Sequence, residues 1–395
     1  MEFNPLSEEF FHDPYETYRW LRDESPCYHN EEYGFFALSR FADVVAAHRD
    51  WKRLSNEHGL RLDQLTDPEN RAAKLSIIFM DPPAHERMRK LVSRAFTPRA
   101  ITRMEPIAHQ VICDYLDGVA GESAFDAITD FAGPFPIEII SAILGVPDAD
   151  RQQIRHWTDQ VLFRRPRDPS PTADGVTALR DRKAYFAALV AEKRAHPGDD
   201  MIGQLIDAEV EDDDGTRQRL TDDEIVEFAT LLASAGSETV TKLVGNAVVL
   251  FHRHPGEWQT ILDDLGTVPN AVEEILRYWA PSQYQGRFTL DESEWHGVRI
   301  PAHQPLFLLT GSANRDEREF DDPDVFDVDR AIGLSVGFGH GIHVCLGAAL
   351  ARLESRIAIE EWAKRWPRFA VDEAGCRRVT MSNVAGYGNV PVAVA

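Results

Sequence analysis

The sequence predicts a mainly α protein with a small β-rich lobe. Two observations carry this reading. Over residues 85–251 apolar residues recur at helical spacing, whereas short apolar stretches divided by turn residues occur around 34–39, 287–305 and 380–394. Because the strand-like segments come from both ends of the chain, the lobe is expected to be inseparable from the helices, giving one domain over residues 1–395 with a β-rich lobe built from N-terminal, 287–305 and C-terminal segments.

Each element has a local reason. A helix over 15–22 follows Asp13-Pro14, and the segment ending at 34–39 reads as a short hairpin. The best-marked helix opens at Thr221-Asp222-Asp223-Glu224, where Thr at the N-cap and Glu at N3 make a capping box. It continues through Leu231, Leu232 and Val240 to about Phe251, and His254-Pro255-Gly256 stops it. About 30 residues at 1.5 Å each give a rod of roughly 45 Å, long enough to cross the whole protein. A further helix begins after Pro269 and ends near Pro281.

Composition narrows the function. A formal net charge of −23 argues against binding to nucleic acid, which needs a basic surface. No apolar run is expected to span a membrane, and the acidic N-terminus lacks the basic start of a signal peptide. A cytoplasmic enzyme is expected. Cys27, Cys113, Cys345 and Cys376 show neither CxxC pairing nor finger spacing. His252 and His254 lack a third ligand at a convincing spacing and are expected to face solvent.

The most informative stretch is Phe338-Gly339-His340-Gly341-Ile342-His343-Val344-Cys345-Leu346-Gly347. Glycines at 339, 341 and 347 permit a tight turn and close approach of the backbone to a flat ring. A helix beginning near Leu346 would bring its positive end to the sulfur, and backbone N–H groups would tune it. The pattern resembles the cysteine loop of the cytochrome P-450 superfamily, with all six specified positions present. The resemblance implies the cytochrome P-450 fold with its long central helix crossing the haem, haem b as cofactor, and Cys345 as the thiolate ligand to iron.

Weaker motifs follow in the order that the resemblance requires. Glu274 and Arg277 lie three apart on one helical face and can pair. By themselves they would form a surface bridge, but the resemblance implies a buried pair joined by Arg330. The segment Ala235-Gly236-Ser237-Glu238-Thr239 resembles the family's acid–alcohol pair. Gly236 would allow a local kink, Thr239 would hold dioxygen and its water, and Glu238 would connect to solvent protons. His85 and Arg89, four apart on one face, would bind haem propionates together with Arg287 and His343. By the same analogy Phe338, Gly339, Gly347 and Ala235 would line the haem. Ile78, Phe79, Leu232, Ala235, Gln283 and Tyr284 would line the substrate pocket, together with the stretch 157–185.

These implications add up to a monooxygenase that hydroxylates a small hydrophobic substrate, whether lipid, terpenoid, steroid or aromatic. It would use O2 and electrons from NAD(P)H through a separate reductase and ferredoxin, since no flavin or iron–sulfur motif is present. Arg87, Lys90, Arg94 and Arg99 are either a patch for that acidic donor or a solvated face. A peroxide-driven peroxygenase or a haem-thiolate sensor on the same fold are the alternatives. Glu238-Thr239 argues against both.

Overall fold

The computed structural model describes all residues except 67–74, 166, 167, 169, 212–214, 380, 382 and 395. Positions 166, 167 and 169 of the expected pocket stretch, and Thr380 at the start of the expected C-terminal strands, therefore lie outside the described residues.

Helices dominate, and the expected N-terminal helix and hairpin form at Tyr15–Glu24 and at Cys27–Asn30 with Phe35–Leu38. That hairpin is the edge of a five-stranded sheet. Phe35–Leu38 pairs in parallel with Pro305–Leu308, which pairs antiparallel with Gln285–Thr289, which in turn pairs with Leu54–Ser55. The C-terminal segment does not join this sheet. Pro391–Val394 lies between Phe369–Val371 and Ala124–Asp126 in a separate three-stranded sheet, and Tyr387–Asn389 pairs with Arg377–Arg378. The single lobe expected from the sequence is thus two structures, because alternating apolar residues fix a buried face and leave the pairing partner open.

The long helix opens on the expected capping box. The Thr221 hydroxyl accepts from the Glu224 N–H, and the Glu224 carboxylate accepts from the Thr221 N–H. It is not one rod. Asp222–Ala235 and Glu238–Arg253 are separate helices with Gly236 and Ser237 between them. Ser237, Thr239 and Thr241 each donate their hydroxyl to the carbonyl four residues earlier, at 2.6, 2.9 and 3.2 Å. Three hydroxyls competing for one stretch of carbonyl ladder beside a glycine account for the interruption.

The segment Ala127–Leu144 is long and apolar enough to cross a membrane, contrary to expectation, but 78% of it is buried inside the protein. It combines a wide turn at Ala127–Ala132 with the helix Pro134–Leu144, whose Phe135, Ile137, Ile139 and Ile140 are core residues. Its apolarity is that of a central helix packed on all sides.

Glu274 and Arg277 are fully buried on the helix Val268–Tyr278, joined by two hydrogen bonds of 2.7 Å. Arg330 reaches the same carboxylate at 3.3 Å, and the Asp327 N–H donates to it at 3.1 Å. Arg277 also donates to the carbonyls of Asn314, Pro323 and Val325. Removing one partner leaves a buried charge uncompensated, at a cost of about 3–5 kcal/mol. Glu274→Ala and Arg277→Ala should therefore each give little folded protein. Soluble yield and thermal unfolding check this, and near-normal melting in both variants would reduce the pair to a local bridge.

Candidate functional site

The loop around Cys345 is tied by few bonds. Gly339 and Gly341 have φ of +70° and +72°, the left-handed region that disfavours any residue with a Cβ. At Gly341 a Cβ would also stand 2.3 Å from the carbonyl oxygen of His48. The Cys345 N–H donates to the Phe338 carbonyl at 2.9 Å, closing the turn. Gly347 then leads into the helix Ala348–Arg365. The Cys345 side chain remains accessible although protein surrounds it. Burial pushes its thiol pKa up, while a hydrogen bond from the Gly347 backbone and the charges of Arg89 and Arg352 pull it down. The sulfur therefore has the donor and the two cations that a bound thiolate needs. Arg352 was not evident from the sequence. It is clamped by Glu273 at 3.0 Å, with its guanidinium 4.6 Å from the centre of the Phe338 ring.

A second group of side chains gathers beside the loop. His85 and His343 come together with ring centres 4.3 Å apart. Both ring nitrogens of His85 and Nε2 of His343 are buried without a hydrogen-bond partner. Arg287, on the strand Gln285–Thr289, is buried and spends one donor on the Gly286 carbonyl and another on Nδ1 of His48 at 3.2 Å. Burial, followed by the charges of Arg287, His85, Arg89 and His48, holds the His343 imidazole down at about 2. Burial lowers Arg287 to about 10. His48 was not singled out in the sequence, since nothing in the helix Phe41–Arg49 marks it. Buried donors facing one another without acceptors are costly. Carboxylates would satisfy them, and an accessible sulfur with a close-approach glycine turn suits a flat ring, so these residues fit a haem with its propionates.

Thr239 lies just past the helix break, its hydroxyl on the Ala235 carbonyl, and Ala235 is exposed although it sits in mid-protein. Glu238 is not where a link to solvent would put it. Its side chain is 9% exposed, with Oε1 2.5 Å from Nζ of the still more buried Lys242. On a helix, residue i+4 stands over residue i, and Lys242 takes that place.

The expected pocket residues divide. Ile78 and Phe79 are half-buried on the turn Ile77–Phe79, and Leu232 is buried one turn before Ala235. Gln283 and Tyr284 are not pocket residues. The Gln283 amide donates to the Ala280 carbonyl at 2.6 Å and accepts from the Tyr18 hydroxyl at 3.2 Å. Tyr284 packs with Phe10 and Phe307 in the N-terminal aromatic core. Both were expected in the pocket by family analogy, as polar anchors, but their side chains are fully buried among these other partners. Arg87 likewise leaves the basic patch, since it bonds to Glu224 at 2.6 Å. Lys90, Arg94 and Arg99 remain exposed. His252 and His254 are half-buried and do not face solvent freely. His252 accepts from the Val371 N–H, and His254 lies against Phe326.

Residues 52–365 match the family model for cytochrome P450. A Mycobacterium tuberculosis protein named as cytochrome P450 123 is 41% identical over 392 residues, covering 99% of this chain and 96% of its own. The vitamin D(3) 25-hydroxylase of Pseudonocardia autotrophica is 36% identical over 396 residues, covering 98% and 95%. The solved structure of cytochrome P450 CYP109Q5 from Chondromyces apiculatus superposes with a TM-score of 0.89 at 33% identity, covering 99% of this chain and 97% of that one.

If this cradle holds haem carboxylates, Arg287→Leu should weaken haem retention. Loss of a charge-assisted hydrogen bond costs about 1.5–3 kcal/mol, a roughly ten- to hundredfold faster transfer of haem to an excess of an apoprotein acceptor. Transfer at the unaltered rate would remove Arg287 from the cradle.

Proposed function

The chain belongs to the cytochrome P450 family of haem-thiolate monooxygenases, and on that premise we propose that it uses O2 to hydroxylate a small apolar substrate, with Cys345 as the thiolate. The observation that carries this assignment is the Cys345 sulfur. It is accessible within surrounding protein, presented by a glycine turn, and provided with the Gly347 N–H and two nearby arginines. Haem, when bound there, supplies dioxygen activation, to which a thiolate contributes electron density that favours O–O cleavage.

The other residues bind, orient and move protons. His85, Arg89, Arg287 and His343 would hold the propionates, and Phe338, Gly339, Gly347 and Ala235 would border the ring. Ile78, Phe79, Leu232 and Ala235 would face the substrate and keep bulk water out. The Thr239 hydroxyl, which donates to the Ala235 carbonyl at 2.9 Å, would turn from that bond to hold a proton for the dioxygen substrate. Glu238, the adjacent residue, would replenish that proton. The presence of the pair favours dioxygen over peroxide as oxidant. A relative named as a hydroxylase supports hydroxylation as the outcome. Lys90, Arg94 and Arg99, all exposed, would offer a docking patch for an acidic ferredoxin supplied by a separate reductase. The working compartment is then the cytoplasm.

Thr239→Ala should keep haem and substrate binding but uncouple the reaction. The product formed per NAD(P)H consumed should fall severalfold, and hydrogen peroxide should take its place because the proton no longer reaches dioxygen in order. Unchanged coupling with no extra peroxide would remove Thr239 from the chemistry.

A further inference from the structure

Two helices bring nitrogen, sulfur and oxygen donors together away from the haem residues. On the helix Pro98–Val119, Glu105, His109, Cys113 and Asp117 recur every fourth residue and so share one face. That face meets the helix Ala348–Arg365, which continues from the cysteine loop. At one end Glu105 pairs with Arg356 at 2.6 Å, and at the other Asp117 pairs with Arg365 at 2.8 Å. Between these bridges His109 and Cys113 meet Glu361. Nε2 of His109 lies 3.4 Å from Oε1 of Glu361. The Cys113 sulfur lies 3.7 Å from Nδ1 and 4.0 Å from Nε2 of His109. One donor atom from each of the three residues lies within 4.8 Å of the others.

These separations are long for nitrogen–oxygen hydrogen bonding but suit a shared ion. Tetrahedral zinc, with bonds of about 2.0–2.3 Å, holds neighbouring donor atoms about 3.3–3.6 Å apart. The imidazole and carboxylate already stand at that spacing, and the sulfur has about 1 Å or less to travel. Imidazole, thiolate and carboxylate together suit zinc, whereas magnesium and calcium take oxygen ligands.

Glu361 also meets two cations of its own helix, Lys364 at 2.6 Å on Oε1 and Arg365 at 2.5 Å on Oε2. Neither closes the site. Lys364 is half-exposed and can turn to water, and Arg365 keeps Asp117. The face sets the carboxylates of Glu105, Asp117, Glu360 and Glu361 against Arg356, Lys364 and Arg365. A thiolate at Cys113 would leave two negative charges unbalanced, which is the charge of one divalent ion.

We propose that His109, Cys113 and Glu361 form a zinc site that staples the helix Pro98–Val119 to the helix Ala348–Arg365. On binding, the Cys113 proton passes to solvent and the sulfur joins the ion as thiolate. The fourth position is open to water, since the His109 side chain is 55% exposed. The site is independent of the oxidation chemistry proposed above.

The test uses the holoprotein, stripped with a chelator, equilibrated with zinc chloride and desalted. Haem iron, measured with zinc by elemental analysis, is the internal standard. The native chain should retain zinc equimolar with haem, and magnesium or calcium should not displace it. X-ray absorption at the zinc edge should show one sulfur at about 2.3 Å beside nitrogen and oxygen at about 2.0–2.2 Å. Zinc should also raise the melting temperature, as a ligand of the folded state does. Cys113→Ser, His109→Ala and Glu361→Gln should each lower zinc affinity roughly tenfold or more and abolish the thermal shift, with haem content unchanged. If Glu361→Gln does not fold, the two variants on the helix Pro98–Val119 decide the matter. No zinc retained by the native chain, a zinc spectrum without sulfur, or undiminished uptake in any folded variant would overturn the site.

Discussion

The Glu274 carboxylate organises the side of the protein that leads to the cysteine loop. It accepts four hydrogen bonds, two from Arg277, one from Arg330 and one from the Asp327 backbone. Arg277 in turn gathers the carbonyls of Asn314, Pro323 and Val325, and Asn314 accepts from the Val336 N–H through its side chain. The irregular segment from 314 to 336, which has almost no regular structure of its own, is hung from this one buried charge pair. Two residues after Val336 the cysteine loop begins. A loop that must hold a sulfur in one place cannot do so on its own turns alone, and the pair supplies the fixed end.

Charge is distributed unevenly around the site. The chain as a whole is strongly acidic, yet Arg89, Arg287, His48, His85 and His343 collect beside Cys345, and burial, then the neighbouring positive charges, lowers the pKa of all three imidazoles. On the long helix the arrangement is the reverse, with Glu238 matched to Lys242 inside the protein. A ring carrying two carboxylates would complete the first group, whereas the second already pairs opposite charges within the protein.

Much of this was legible in the sequence where a local rule governs. The capping box at Thr221, the hairpin before Ser39 and the turn at Gly339 and Gly341 depend on residues within a few positions of one another, and each formed. Glu274 and Arg277 could be paired by helical spacing, although their burial came only with the resemblance. What was not legible depends on distant partners. The C-terminal strands joined Ala124–Asp126 and not the N-terminal sheet. The long helix broke because three hydroxyls competed with its own ladder. Gln283 and Tyr284 turned inward onto Tyr18 and Phe10. His48, Arg352 and Lys242 take their surroundings only from what the fold places beside them.

The proposed function begins at one atom, the sulfur of Cys345. The most direct measurement is the absorption spectrum of the reduced protein under carbon monoxide, for the native chain and for Cys345→His. The native protein should show the red-shifted Soret band of a thiolate-ligated haem, and Cys345→His should bind haem without that band. A native spectrum lacking the band, or a Cys345→His spectrum keeping it, would contradict the assignment of Cys345.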